Sequence, residues 1–292
     1  AFTGALLITT NDTGTDTAGD VTISAGSGAV LDFGNSTIDG DLIATSSNTT
    51  GIIDSGAMIV RGTASFRTTA ANADISLGTS TLGDGTGTDT ITLNTTGSGG
   101  DATLDNGTTV VVLGTSAASL VTSVGGDLTL RSGAAAGITD SATVTVGGDL
   151  AATTDANSGV IDLDTLAVTG SVALNTHGSG AATVVNATVL DFAASTVGGA
   201  LSATATTGNI TDSGALAITG TTTLVTSAND ATIVLDTTTN AFTGALTITT
   251  NDNSGTDADV TIDGGTTALV IAASTIDGDL TLRSGYASGI TD

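Results

Sequence analysis

The sequence contains no cysteine, no proline, no tryptophan and no lysine, and all 29 of its acidic residues are aspartate. Without cysteine there is no disulfide and no thiolate metal site, so stability has to come from packing and hydrogen bonding. Four arginines and one histidine stand against a formal net charge of −25. Almost nothing could neutralise phosphates, which excludes basic nucleic-acid recognition and disfavours an anionic membrane surface. No run of 18 apolar residues occurs, so no membrane insertion is expected. Aromatics make up only 2% of the 292 residues. That points to a narrow core of Val, Ile, Leu and Ala with little room for rings. Glutamate and lysine, two good helix formers, are missing, and no helical period competes anywhere.

What is present is repetition. A high net charge often marks disorder, but here mean hydropathy is positive and the Val, Ile and Leu are patterned, so the chain is expected to fold. One word recurs: an apolar residue, any residue, Gly, any residue, often Leu. It reads Ile38-Asp39-Gly40-Asp41-Leu42, Val124-Gly125-Gly126-Asp127-Leu128 and Val146-Gly147-Gly148-Asp149-Leu150. Gly40 to Gly62, Gly126 to Gly148 and Gly148 to Gly170 are steps of equal length. Between these glycines lies a second word, as in Gly51-Ile52-Ile53-Asp54-Ser55-Gly56, Gly137-Ile138-Thr139-Asp140-Ser141 and Ile210-Thr211-Asp212-Ser213-Gly214. A longer recurrence overlies both. AFTGAL at Ala1 returns at Ala241, whereas TIDGDL at Thr37 returns at Thr275, a slightly shorter step. This is the mark of a duplicated block of coils that tolerates small length changes in its polar loops.

The segments between turns alternate with period two, as Leu128 and Leu130 do with Thr129 and Arg131, which is the half-buried strand pattern. A unit of about 22 residues with short strands and Gly/Asn/Asp/Ser turns reads as one coil of a parallel β-helix. The chain is therefore expected to be all-β, a single continuous β-solenoid over residues 1–292 with roughly a dozen coils. Because the array runs to both ends without a polar cap, it is expected to be a piece of a much longer array.

Asn240–Leu246 and Ile210–Gly220 resemble the β-strand repeats of giant bacterial exoproteins and are similar to filamentous haemagglutinin and related adhesins. The likeness runs along the whole chain and rests on repeat words rather than on a site. The resemblance implies a right-handed parallel β-helical shaft, secreted and displayed at the bacterial cell surface, with neighbouring repeats as its first partners.

Candidate sites are few. Asp12, Asp16 and Asp20 recur in altered form as Asp252, Asp257 and Asp259, and Asp84 with Asp89 forms a third acidic loop. Carboxylate oxygens in Gly-containing loops suit Ca2+. Their spacing matches neither the EF-hand loop nor the calcium-binding nonapeptide repeat, so solvated turn aspartates with Asx-turn hydrogen bonds are the favoured reading. The turn residues Asp54, Asp140, Asp162, Asp212 and Asp292 would bring carboxylates near one another if coils are in register. A catalytic pair is local and unique, however, and these are part of a series. Arg131 and Arg283 share the context LTLRSG and read as surface charges able to pair with Asp. His177 sits in a Gly/Ser turn, and Tyr286 replaces Ala134 in near-identical words and points outward. Interrupted Thr-x-Thr pairs read as strand formers rather than an ice-binding array.

No constellation supports an enzyme. The expected function is structural: the repeat shaft of a secreted or cell-surface fibre or adhesin, mediating cell attachment or cell–cell linkage, with self-association into fibres as a possible assembly. The alternative is a carbohydrate- or ligand-binding adhesin segment that uses its acidic loops, with calcium as a possible cofactor and cell-surface glycans as partners.

Overall fold

The computed structural model describes residues 4–11, 19–115, 120–253 and 257–292. It is a parallel β-solenoid of about 12 turns at a spacing of about 22 residues, with no helix among the described residues. It divides into two compact units, Ala1–Leu150 and Ala151–Asp292.

In the first unit, one sheet is built by Val21–Ala25, Leu42–Ser46, Ala64–Ala71 and Ile91–Thr96 lying side by side. The second sheet runs Leu31–Phe33, Ile52–Asp54, Ile75–Leu77, Ala102–Asp105 and Leu128–Ser132. A short third ladder consists of Ser36–Ile38, Met58–Val60 and Ser80–Leu82. Register holds along these ladders, so that Leu42 faces Val21 and Ala64 and Ile52 faces Leu31 and Ile75, with a shift between Asn94 and Thr96. The second unit repeats the plan. Ile161–Val168, Ala182–Asn186, Leu201–Ala205, Thr222–Asn229 and Leu246–Asn251 form one sheet. Leu190–Phe192, Ile210–Asp212, Ile233–Leu235, Val260–Asp263 and Leu280–Arg283 form another. Ser195–Val197, Leu216–Ile218 and Ala241–Phe242 make its short ladder.

The strands form where the sequence alternates, because every second side chain enters the coil. Leu42, Ala44 and Ser46 are buried while Ile43 and Thr45 are half-exposed. Length is set by the turns. Gly51, Gly137 and Gly289 each follow a polar or small-residue turn at positive φ, immediately before the Ile of the second word.

The long recurrence is structural as well as textual. Leu6 bridges Phe33 and Thr9 bridges Thr37, and in the later copy of the block Leu246 bridges Ile271 and Thr249 bridges Thr275. The shorter words are less faithful to position. Leu42–Ser46, which follows Gly40-Asp41, lies in the first sheet, whereas Leu128–Ser132, which follows Gly126-Asp127, lies in the second. Their Ile-x-Asp words exchange places too: Ile52–Asp54 is in the second sheet and Ile138–Asp140 in the first. Coils between them are longer. Ala64 faces Ile91 and Ile75 faces Ala102, wider steps than Leu42 to Ala64 or Ile52 to Ile75. Both faces demand the same small alternating strand, so a word can serve either.

The expectation of a core with little room for rings is corrected. Phe33, Phe66, Phe192 and Phe242 are fully buried. Room comes from small neighbours in register: Phe66 lies beside Ala44 on one side. The rings of Phe33 and Phe66 meet edge to face at 6.3 Å and 90°, a favourable quadrupolar arrangement.

The core also holds amides. Asn106 and Asn186 are fully buried. Asn186 Oδ1 accepts the Val168 N–H (2.8 Å), while its Nδ2 donates to the Val168 carbonyl (3.0 Å) and the Val189 carbonyl (2.6 Å). Asn106 treats Leu82 and Val110 identically, at 2.7, 3.0 and 2.8 Å. Each side chain takes the place of a peptide group on the adjacent coil. Replacing Asn186 with Ala leaves a buried N–H and carbonyl unpaired, and is expected to destabilise the fold by about 2–4 kcal/mol. The isosteric Asn186→Asp sets a carboxylate against two carbonyls and should do no better. A denaturant melt within about 0.5 kcal/mol of wild type for either variant contradicts this role.

Candidate functional site

The aspartates that precede a strand, most of them in Gly-Asp words and two after Ala (Asp74 and Asp259), form a ladder. Asp41 N–H donates to Asp20 Oδ1 (3.0 Å), Thr63 N–H to Asp41 Oδ1 (2.8 Å), and Asp101 N–H to Asp74 Oδ1 (3.0 Å). Asp127 N–H donates to Asp101 Oδ1 (2.9 Å) and Asp149 N–H to Asp127 Oδ1 (2.8 Å). In the second unit Asp279 N–H donates to Asp259 Oδ1 (2.8 Å). Each carboxylate therefore accepts a backbone N–H from the equivalent position one coil later. Adjacent strands lie about 4.8 Å apart, a gap the single methylene of Asp bridges.

A second set works at the corners. Asp54 accepts from the N–H groups of Gly78 (2.8 Å) and Thr79 (3.0 Å) and from the Ser80 hydroxyl (2.8 Å). Asp32 accepts from the backbone and hydroxyl of Ser55, both at 3.0 Å. Asp212 accepts from Asp236 N–H (3.1 Å) and Asn240 Nδ2 (2.6 Å). In the strand register Asp54, Asp140, Asp162 and Asp212 face Phe33, Leu113, Thr183 and Phe192 respectively. The local Asx turn expected for these loops does occur at Asp84. That residue takes the N–H and hydroxyl of Thr86 and donates its own N–H to Asp89 Oδ2 (2.9 Å). The Thr86 hydroxyl, followed by the Thr86 N–H, holds the Asp84 carboxyl below the ordinary carboxylate value. For Asp20, Asp32, Asp41, Asp54, Asp101, Asp127 and Asp259 the partner instead lies on a neighbouring coil.

Of the six proposed calcium ligands, Asp12 and Asp16 lie outside the described residues. Asp20 and Asp259 serve the ladder. Asp252 and Asp257 come near Asp230, whose backbone sits in the left-handed region at φ 62°. A hydrogen bond shared with Asp252 raises the Asp230 carboxyl above its ordinary value, with further contributions from partial burial and the charges of Asp252 and Asp257. Among the described residues no group of three His, Cys, Asp or Glu side chains is placed to hold a metal ion. Asp230 is a member of this acidic group that the sequence reading missed. The signal was there in Asn229-Asp230, one coil before Asn251-Asp252.

The cations pair along the surface. Arg61 Nε lies 2.9 Å from Asp39 Oδ1, Arg131 Nε 3.7 Å from Asp105 Oδ2, and Arg283 Nη1 3.7 Å from Asp263 Oδ2. Each links neighbouring coils; for Arg131 and Arg283 the pairing with Asp was expected. These half-exposed pairs add little stability individually. His177 is exposed in its turn, and its N–H donates to Thr154 Oγ1 (3.3 Å). Tyr286 is exposed, as expected.

Residues 18–81 and 179–249 match a family model described as repeats of unknown function (DUF5649). The matched stretches cover less than half of the chain. They hold most of the coils that carry the short third ladders. Comparison with curated proteins and with solved structures gave no match.

Two outcomes test the roles of these carboxylates. Asp127→Ala leaves the Asp149 N–H without its carboxylate partner and should destabilise by about 0.5–1.5 kcal/mol, whereas Asp127→Asn keeps an acceptor oxygen and should lie close to wild type. Equal losses for both variants would refute the ladder. Burial pushes the half-buried Asp212 carboxyl above its ordinary value of 3.8, opposed by the bonds from Asn240, Asp236 and Thr237. The folded state then holds that proton more tightly than the unfolded state. The Asp212 contribution to stability falls as pH rises from 3.8 through the folded-state value, and returns on acidification. The melting temperature of Asp212→Asn should accordingly vary less with pH than that of wild type over that window.

Proposed function

We propose that this chain is a structural segment, a run of stacked coils that spaces and links rather than reacts, in the shaft of a secreted or cell-surface bacterial fibre or adhesin. The observation that carries this reading is the use made of the carboxylates. They are the most numerous ionisable side chains in the molecule, and many of them accept hydrogen bonds from the next coil. A ladder residue recurs with the coil and serves extension of the stack, which is what a spacer requires. The resemblance of the repeat words to filamentous-haemagglutinin-like exoproteins supports the surface location and the role in attachment or cell–cell linkage. The acidic, cysteine-free composition is compatible with it.

The test is to lengthen and shorten the stack. Duplicating the coil from Leu190 to Asn209, which Ile210 follows in register, should add one coil, leave the melting temperature within a few degrees of wild type, and create no new ligand binding. Immunolabelling of intact source cells should detect the segment outside the cell; labelling only after lysis would sink the surface assignment. A binding adhesin segment is the second reading, prompted by the hydrogen bond that Asp230 shares with Asp252, one of the acidic-loop residues. There, Ca2+ should raise the melting temperature and Asp252→Asn should abolish that rise, with glycan-array binding that depends on calcium. A melting temperature indifferent to both calcium and chelator, with a blank array, eliminates it.

A further inference from the structure

The outer face of one sheet in the second unit carries an uncharged array of hydroxyls and methyls. Ala182–Asn186, Leu201–Ala205, Thr222–Asn229 and Leu246–Asn251 pair strand on strand. Val184, Ala203, Leu224 and Ile248 point into the coil and are fully buried. The residues on either side of them therefore point out. They form two columns that run across the coils. In one, Thr183 faces Ser202, Ser202 faces Thr223 and Thr223 faces Thr247. In the other, Val185 faces Thr204, Thr204 faces Val225 and Val225 faces Thr249. All of these side chains are exposed or half-exposed. Thr249 also bridges Thr275 on the coil that follows. In the sequence the pattern looks interrupted, for example at Ala217-Ile218-Thr219. Leu216–Ile218, however, belongs to the short ladder with Ser195–Val197 and Ala241–Phe242, not to this face.

Three properties set this face apart. It carries no charge, in a chain of net charge −25. The first charge appears on the preceding coil, where Asp162 faces Thr183. The corresponding sheet of the first unit is broken by a cation, since Arg67 stands between Thr45 and Asn94. Its hydroxyls are also free. Among the described residues, the hydroxyls of Thr183, Ser202, Thr204, Thr223, Thr247 and Thr249 bond to no other protein group. The buried Thr154, Thr226 and Thr250 instead each donate to a backbone carbonyl. Finally, every residue of the two columns except Ser202 is β-branched. Such side chains are stiff at χ1, so their methyls are held in place.

We propose that this face binds ice. A periodic, rigid, uncharged array calls for a periodic, uncharged ligand. Its repeats are about 4.8 Å between strands and about 6.6 Å between alternate residues of one strand. These are comparable to the two oxygen repeats on a prism face of hexagonal ice. The hydroxyls supply hydrogen bonds at lattice positions, and the methyls between them order the adjoining water. Stiff side chains lose little entropy on contact. A folded protein is aperiodic and meets such a face poorly. Crystalline polysaccharides stack on aromatic rings, and these columns contain none. A charged ligand finds no counter-charge here. Four rows span only about 14 Å, so adsorption shows in the shaping of ice crystals and in slowed recrystallisation. This binding activity is additional to the spacer reading and does not depend on it.

Partition into growing ice tests the proposal. An ice hemisphere is grown slowly from a dilute solution of the chain, and protein in the ice is compared with protein left in the liquid. Wild type should enter the ice several-fold more than Thr204→Lys or Thr223→Lys, and should slow grain growth in a recrystallisation assay where those variants do not. Both positions face solvent, so circular dichroism and melting temperature should match wild type. Thr129→Lys makes the same change at an exposed strand position of the first unit and should behave as wild type in both assays. Wild type excluded from ice as fully as the two face variants overturns the inference. A Thr129→Lys variant that loses the effect equally overturns it as well, because the face would then not be the cause. So does adsorption to powdered chitin or cellulose without entry into ice, which would assign the face to a polysaccharide lattice. The spacer reading is untouched by any of these results, since duplication of a coil tests it separately.

Discussion

Everything in this molecule depends on parallel hydrogen bonding between successive coils in register. A single coil is too short to bury its own apolar side chains, and its short strands would not be stable alone. Stacking solves both problems together, because the step that pairs the backbone also places Leu on Leu and Val on Ile inside the coil. The same step imposes a condition on every turn. Where the path of one coil does not match the next, backbone groups are left facing a neighbour that offers no backbone partner.

The polar composition answers that condition. Asp20, Asp41, Asp101, Asp127 and Asp259 reach across to an N–H on the following coil. Asn106 and Asn186 stand in for a whole peptide group inside the core. Glycine keeps the backbones close enough where a Cβ would intervene, as at Gly220 and Gly244. These devices have a direction. The ladder carboxylates accept from the coil after them, and a Cβ on the repeat glycines would point at the coil before them. Each coil therefore meets the coil before it and the coil after it with different chemistry. This arrangement also gives a strongly acidic chain a use for its carboxylates, many of which are distributed one coil at a time, as acceptors.

Much of this was legible before any coordinates. The period-two strands, the regular coil spacing and the return of the AFTGAL block all appear in the structure. That Arg131 and Arg283 are surface charges pairing with Asp was anticipated from their shared context; that the partner lies on a neighbouring coil was not. Other features were not. The buried phenylalanines contradict a core with little room for rings, because the composition shows how few aromatics there are but not that Ala44 makes space beside Phe66. The turn aspartates were expected to satisfy their own turns, as Asp84 does, since a local partner is the one a sequence shows. The real partner is usually a coil away, visible only once the register is known. Asn106 and Asn186 carried no mark that separates them from other Asn residues in turns, whereas Asp230 could have been found from the repeated Asn-Asp word at Asn229 and Asn251.

The division has a physical basis. The sequence by itself determined the repeating unit: which residues alternate, where the turns fall, and that coils of nearly one length must stack to bury their apolar sides. Those are properties of local spacing. Only the tertiary structure decided which sheet each word enters, so that Leu42–Ser46 and Leu128–Ser132 lie on different faces despite their common motif. Both faces present the same small, alternating, parallel surface, and nothing local distinguishes them. The choice is made by the accumulated length of the intervening coils, and it is recorded only when each strand meets its neighbour.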